Sequence, residues 1–179
     1  MSHFAKIMAK TTAKTMARTI AGTIAGLAIA AAISSPVAAQ GVVTQKSISL
    51  PMAQAIANAV IAKCQSMGFK ISVSVLDRGG LALVMLRDEG ASLHTVESSD
   101  RKAYTARTFR QPSAAIVKRI QDEPAVAGFK EYTRVIALAG GLPIKVGDDV
   151  IGAVGVSGSP GKDDDCAQAG IDKVADQLK

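Results

Sequence analysis

The spacing of apolar residues predicts a helix that begins near residue 50. Ser49 is a residue type that caps helices, Pro51 suits a first turn, and Gly68 suits an end. Between them one apolar face recurs every three or four residues, at Ala53, Ile56, Ala57, Val60, Ile61 and Cys64. We therefore expect a helix from residue 51 to about residue 67.

Short apolar and alternating runs predict strands. Residues 71–76 alternate in polarity, and a turn at 77–80 leads into a second run at 81–87, which together indicate a hairpin. Further apolar runs predict three more strands, at 135–138, 142–146 and 150–156, the last two joined by a Gly-Asp-Asp turn.

Helical patterns account for most of the remaining chain. They cover roughly residues 93–109, 112–120 and 163–178, whereas residues 125–134 are compatible with a turn or one short helix. The order is helix, two strands, helices, three strands, helix. About five antiparallel strands with the first and last helices packed on them make an α+β sandwich, which is the expected fold class.

The strand at 150–156 contains two interior glycines, Gly152 and Gly155. Glycine weakens a strand, so its presence there indicates that another backbone, or a flat ligand, lies close. By contrast, Met85 lies within an apolar strand and is expected in the core.

The glycine-rich exit from this strand resembles a phosphate loop in context but not in spacing. The first required glycine would fall on Val156, and Asp163 stands where a serine or threonine would hold magnesium. Three successive aspartates at a helix start also rarely converge on one cation. We expect Asp163 and Asp164 to cap the following helix and complement its dipole.

The first 39 residues have the features of a secretory signal peptide. A basic stretch without acids precedes an apolar run at 20–33, and Val37-Ala38-Ala39 fits a cleavage site. The run is shorter than the ~20 residues that span a bilayer. We expect residues 1–39 to be a signal, 40–48 a lead-in and 49–179 one domain, located in the periplasm or secreted.

Removal of the signal changes the charge balance. The chain has 21 basic and 15 acidic residues, and four of the basic ones lie in the signal, which leaves 17 against 15. A near-neutral chain without basic clusters gives no indication of nucleic-acid binding. The two cysteines, Cys64 and Cys166, are compatible with a disulfide in an exported protein or with two buried thiols.

The helix predicted at 93–109 carries the candidate metal ligands. Glu97 and Asp100 are three residues apart and therefore neighbours on one helix face, where they could bind iron or form a solvated surface. His94, Tyr104 and Tyr132 are residue types that ligate haem iron, although each is also compatible with an ordinary surface or packing role.

Six ordered segments resemble the GlcG/HbpS-like family, which includes the C-terminal domain of PduO-type proteins. They are Val75-Leu76-Asp77-Arg78-Gly79-Gly80, Arg87-Asp88-Glu89-Gly90-Ala91, Lys102-Ala103-Tyr104-Thr105-Ala106, Gly140-Gly141-Leu142-Pro143-Ile144, Gly152-Ala153-Val154-Gly155-Val156-Ser157-Gly158 and Asp165-Cys166-Ala167-Gln168-Ala169-Gly170. The resemblance covers about residues 49–178.

The resemblance implies a profilin-like sandwich that assembles into homo-oligomers, and for some members haem binding. It places Glu97 and Asp100 where iron-binding carboxylates have been proposed in a secreted member. A porphyrin would lie against a surface that is flat because Gly152 and Gly155 carry no side chains. The axial-ligand candidates are His94, Tyr104 and Tyr132 in that order, and the cations for the propionates are Arg87, Arg101, Lys102 and Arg107.

Three hypotheses follow from the resemblance and the signal. The first is an exported haem-binding protein that handles or senses haem or iron. The second is an accessory protein for a corrinoid or a small organic acid. The third, a haem-degrading enzyme, ranks last because the sequence offers no nucleophile–base pair. The expected partners are a small molecule and further copies of the chain, without nucleic acid and without a stable membrane anchor.

Overall fold

A computed structural model describes residues 41–179, of which residues 45–179 form one compact unit. The predicted signal peptide lies outside the described residues. Within the described part of the chain, no helix combines the length and the apolar character needed to cross a bilayer.

The first helix, α1, spans Leu50–Ser66, as its apolar spacing predicts. The Ser49 hydroxyl accepts a hydrogen bond from Met52 N at 3.4 Å, and Pro51 occupies the first turn, where no amide hydrogen is needed. Its buried side chains are those of the predicted apolar face, except that Ile61 is only half-buried.

The sheet has four antiparallel strands in the order β2-β1-β4-β3. The strands are β1 (Ser72–Leu76), β2 (Ala82–Arg87), β3 (Gly141–Val146) and β4 (Asp149–Ser157). The α+β class is confirmed, and the expected count of about five strands is one too many.

The missing strand is the one predicted at 135–138. This segment runs beside helix α2 (Thr95–Phe109) rather than beside a strand. Ile136 N donates to the Thr105 hydroxyl at 2.9 Å, and Val135 O accepts from the Arg101 guanidinium at 2.8 Å. Side chains of α2 thus satisfy backbone groups that a sheet would otherwise pair.

The helices cover both faces of the sheet. On one face α1 and the last helix, α4 (Asp163–Asp172), enclose a core with alternate valines of β1 and β4. On the other face lies α2, whose Thr95 and Ser99 hydroxyls hydrogen-bond to Ser72 and Ser74 of β1 at 2.8 and 2.9 Å. The remaining helical pieces are α3 (Ser113–Asp122) and two 3-10 segments, Pro124–Glu131 and Ala175–Gln177.

The two glycines of β4 allow protein backbone to approach. A side-chain carbon at Gly155 would lie 2.5 Å from Ala103 N of α2 and would overlap the Ser99 carbonyl. A carbon at Gly152 would lie 2.6 Å from Leu76 O and 2.9 Å from Ile48 Cγ2. Of the two alternatives that the sequence left open, a flat ligand therefore has no room beside either glycine.

A disulfide joins Cys64 of α1 to Cys166 of α4. Their Cα atoms are 5.6 Å apart, within the range that a disulfide spans, and 102 residues separate them in the chain. The Ser159 hydroxyl lies 3.2 Å from the Cys64 sulfur. The bond fixes the two helices that cover one face of the sheet.

Candidate functional site

His94 stands at the start of α2 with its side chain exposed. It is the N-cap residue but makes no side-chain capping bond, and its carbonyl accepts from Ser98 N at 3.0 Å. Its neighbour Leu93 is 87% exposed. The imidazole is therefore open to a ligand.

The edge strand β2 flanks this end of α2. Arg87 pairs with Ser72 and Met85 with Ser74, and both serines hydrogen-bond to α2. Directly opposite residues project from the same face of a sheet, so Met85 and Arg87 lie on the face that α2 covers. Met85 is 42% exposed, which corrects the expectation that it is a core residue. We call His94, Leu93, Met85 and Arg87 the α2–β2 edge.

The carboxylates of Glu97 and Asp100 are held by different arginines. Arg101 donates to Glu97 Oε1 at 3.1 Å, whereas Arg134 donates to both oxygens of Asp100 at 3.1 and 3.0 Å. Across residues 41–179, no three side chains of histidine, cysteine, aspartate or glutamate are grouped to hold a metal ion. Iron at this predicted pair would have to displace both arginines.

Tyr104 is half-buried beneath a cation. The Arg134 guanidinium carbon lies over the face of its ring, 4.1 Å from the centroid, and one edge of the ring lies against Gly80. Arg134 also donates to Gly80 O at 3.0 Å, so it ties α2 to the β1–β2 turn. No motif or spacing in the sequence singles out Arg134, since its partners lie in two segments distant from it in the chain, α2 and the β1–β2 turn.

Tyr132 belongs to a separate aromatic cluster. Its ring centroid is 6.2 Å from that of Phe129, which is in turn 5.0 Å from Phe109. Tyr132 is 58% exposed. The fold therefore keeps the two tyrosine candidates in different environments, one covered by Arg134 and one open to solvent.

The arginines predicted to bind propionates differ in exposure and in the protein groups that they already contact. Arg87 is exposed and donates to Ala91 O at 2.6 Å, and Arg101 is bound to Val135 O and Glu97. Arg107 donates to Arg78 O at 2.6 Å, and burial, with repulsion from Arg78 and Arg110, lowers its pKa. Arg87 is thus the cation of this set that lies on the α2–β2 edge.

Lys102 faces the interior, unlike the surface cation expected from the sequence. Its ammonium donates to Val156 O at 3.0 Å and to Asp163 Oδ2 at 2.7 Å. Residue 102 lies on the side of α2 that packs against the sheet, close to Gly141. A propionate on the protein surface therefore cannot be its partner.

Asp163 and Asp164, at the start of α4, accept hydrogen bonds from neighbouring loops instead of capping the helix. The N-cap residue is Lys162, and its side chain makes no capping bond. Asp163 Oδ1 accepts from Ser159 N and from the Ser159 hydroxyl, at 2.9 and 2.7 Å. Asp164 Oδ1 accepts from Gly140 N at 2.8 Å. The predicted capping role is therefore wrong, although the helix dipole still favours acids here.

A cavity of about 280 Å³ opens between α2, the approach to β3 and the start of α4. Burial, followed by repulsion from Asp163, raises the pKa of the Asp164 carboxyl against the opposing effects of Gly140 N–H and Lys102. The lining residues are Lys102, Leu138, Ala139, Pro160, Gly161, Asp163 and Asp164. The sequence pattern draws attention to the aspartates but does not predict the cavity, because Leu138 and Lys102 come close to them only in the folded chain.

An antiparallel four-stranded sheet with helices on both faces defines an α+β domain, and this one carries an exposed histidine at one helix start and a small cavity of mixed lining. The family described as "Haem degrading protein HbpS-like" matches residues 48–172. The chain belongs to this HbpS-like family.

Curated relatives agree with this assignment. An uncharacterized 15.0 kDa protein from the dhaT-dhaS intergenic region of Citrobacter freundii is 37% identical over 63% of this chain and 80% of its own. Protein GlcG of Escherichia coli K12 is 31% identical over 64% of this chain and 84% of its own.

Two solved structures share the fold. A double mutant of Streptomyces reticuli HbpS matches with a TM-score of 0.69 and 33% identity, covering 78% of this chain and 96% of that one. PduOC, solved in complex with haem, matches with a TM-score of 0.67 and 25% identity, covering 71% of this chain and 94% of that one.

Proposed function

We propose that this chain is an exported haem-binding protein that handles or senses haem or iron. The observation that carries the proposal is the relative PduOC, which shares the fold over most of the domain and was solved with haem. Membership of the HbpS-like family supports the same ligand class. Fold alone does not fix function, so the surface of this chain must supply suitable groups.

The α2–β2 edge supplies groups that fit haem. His94 offers an imidazole, a common haem ligand, without a competing side-chain bond in the capping position. Met85 and Leu93 provide exposed apolar contact for a porphyrin, and Arg87 provides a cation for a propionate. Bound haem would supply a redox-active iron. His94 would ligate that iron, and Met85, Leu93 and Arg87 would orient the ring.

A surface site of this kind leaves one face of a porphyrin uncovered. The cavity beside Asp164, at about 280 Å³, is at the lower limit of the ~300–1,000 Å³ typical of ligand pockets and cannot enclose haem. A second copy of the chain would cover the exposed face, which connects haem binding to the homo-oligomer that the family resemblance implies.

Titration of the purified protein with hemin tests the proposal. We expect a shifted Soret band that saturates at a fixed stoichiometry, with size-exclusion chromatography reporting whether hemin increases the assembly size. His94→Ala should abolish the shift, whereas Tyr104→Phe and Tyr132→Phe should retain it. An unshifted Soret band in the native protein would falsify haem binding, and an unaltered band in His94→Ala would remove His94 as the ligand.

Export is tested separately. The pattern of residues 1–39 leads us to propose cleavage after Ala39. Fractionation of cells that express the full-length chain, with N-terminal sequencing of the product, should yield a species that begins at Gln40 outside the cytoplasm. A cytoplasmic product that retains residue 1 would contradict export without affecting the hemin result.

A further inference from the structure

The cavity at the start of α4 is lined by both apolar and charged groups. Leu138, Ala139 and Pro160 contribute apolar walls, and Lys102, Asp163 and Asp164 contribute charged groups. Its volume of about 280 Å³ equals that of roughly nine liquid water molecules at ~30 Å³ each. It therefore suits a small organic molecule rather than a macrocycle.

Two of the three charged groups satisfy each other. Lys102 and Asp163 form an ion pair at 2.7 Å with side chains only 5% and 13% exposed. The remaining acceptors of Asp163 are used by Ser159, through its amide and its hydroxyl. The pair therefore has no net charge, and most of its hydrogen-bonding positions are used within the protein.

Asp164 is the group left over. Its Oδ1 accepts from Gly140 N at 2.8 Å, whereas its Oδ2 accepts no hydrogen bond from any residue between 41 and 179. Counting Lys102, Asp163 and Asp164, the side chains of the lining carry an excess of one negative charge, which the N-terminus of α4 offsets only in part. Asp165, next in the chain, is instead paired with Lys162 at 3.0 Å on the surface.

We infer that this cavity binds a small organic cation, with an ammonium group on Asp164 Oδ2 and a short carbon chain against Leu138, Ala139 and Pro160. The ammonium group would replace water at Asp164 Oδ2 and pair with the part of the carboxylate charge that the helix N-terminus leaves uncompensated. A carboxylate ligand of the same size is repelled by Asp164. A neutral alcohol can donate a hydrogen bond but gains no charge pairing, so it binds more weakly.

Three ligands of matched size test the charge preference, namely propylammonium, propionate and propan-1-ol. Amide NMR spectra of the purified protein should show saturable shifts at Ala139 and Gly161 with propylammonium, in the millimolar range. Propan-1-ol should bind at least about tenfold more weakly, and propionate should produce no saturable shift. Binding of propionate as tight as that of propylammonium, or no binding of propylammonium, would overturn the inference.

Variants locate the site. Asp164→Asn keeps an acceptor for Gly140 N–H but removes the charge, and should weaken propylammonium binding at least about tenfold. Asp165→Asn is the matched control on the same helical turn and should bind as the native protein does. Ala139→Leu, which fills the cavity without changing its charge, should also abolish binding. Retained affinity in both Asp164→Asn and Ala139→Leu would place the ligand elsewhere.

The pH dependence gives a further readout. The groups facing Asp164 are Gly140 N–H, Asp163, Lys102 and Asp165. Propylammonium affinity should rise as pH increases through the raised pKa of Asp164, and Asp164→Asn should flatten that rise. Hemin binding should be unchanged in this variant, so the cavity and the proposed haem site succeed or fail independently.

Discussion

Lys102 and Asp163 form an ion pair of 2.7 Å in which neither side chain is more than 13% exposed. The same ammonium donates to Val156 O at the end of β4. One lysine thus connects α2, the sheet and the start of α4. Because both charges are largely removed from solvent, the pair should matter most when only one member is removed.

Lys102→Met is therefore expected to destabilise the fold strongly. The substitution leaves Asp163 as a buried, uncompensated carboxylate, which costs about 3–5 kcal/mol in comparable cases. Urea unfolding followed by circular dichroism measures the change. Lys162→Met removes the exposed partner of Asp165 and serves as the control, with an expected cost below about 1 kcal/mol. Equal costs for the two variants would contradict the importance of burial.

Gly155→Ala should also destabilise the protein, by about 3 kcal/mol or more, because the new methyl group overlaps backbone atoms of α2 that cannot move independently. Thermal unfolding would detect the effect as a lower Tm. Gly128→Ala is the matched control, since no atom lies within 4 Å of the added carbon, and its free energy of unfolding should stay within about 0.5 kcal/mol of the native value. A native-like Tm for Gly155→Ala would show that α2 does not pack as described.

Reduction of Cys64–Cys166 should lower stability by about 4–5 kcal/mol, because the bond restricts an unfolded loop of roughly 100 residues. Urea midpoints with and without dithiothreitol measure the difference. The double variant Cys64→Ala, Cys166→Ala should match the reduced protein and no longer respond to reductant. A native protein whose midpoint ignores reductant would argue against the bond.

The raised pKa of Asp164 predicts how the stability of the protein changes with pH. This pKa is raised in the folded state, so the folded protein binds this proton more readily than the unfolded chain. The contribution is favourable at low pH and is lost as pH rises through the folded-state pKa. Asp164→Asn should therefore stabilise the protein modestly at pH 7, by less than about 1 kcal/mol because the group is partly exposed, and the gain should disappear near pH 3. If Asp164→Asn is less stable than the native protein at pH 7, the predicted direction of the effect is wrong.

Local pattern was sufficient for most elements of the fold. The helical spacing at 53–64 reflects one buried face, and α1 appears where it predicts. The alternation at 71–76 also locates β1, although both faces of this strand are buried, because Ser72 and Ser74 pack against α2. The strand predicted at 135–138 is absent because the hydrogen-bond partners of this segment are side chains of α2. These are Thr105 and Arg101, some thirty residues earlier in the chain. Apolar character indicated burial correctly at Val135 but could not identify what lay beside it.

The candidate site was less predictable because its chemistry depends on pairing across the fold. Glu97 and Asp100 are adjacent on α2 as their spacing requires, yet Arg101 and Arg134 hold them separately. Asp163 and Asp164 look like capping residues in sequence, whereas Ser159 and Gly140 supply their actual partners. These assignments depend on which loop lies beside a side chain in the folded chain, and the local pattern around each residue does not reveal it.

The disulfide between α1 and α4 also turns the region between Cys64 and Cys166 into a covalent ring that contains the whole sheet. A protease that cuts the backbone once inside this ring opens it without releasing a fragment. The nicked molecule keeps its full mass until a reductant separates the two pieces. Damage in the loops would therefore leave the sheet tethered to both covering helices.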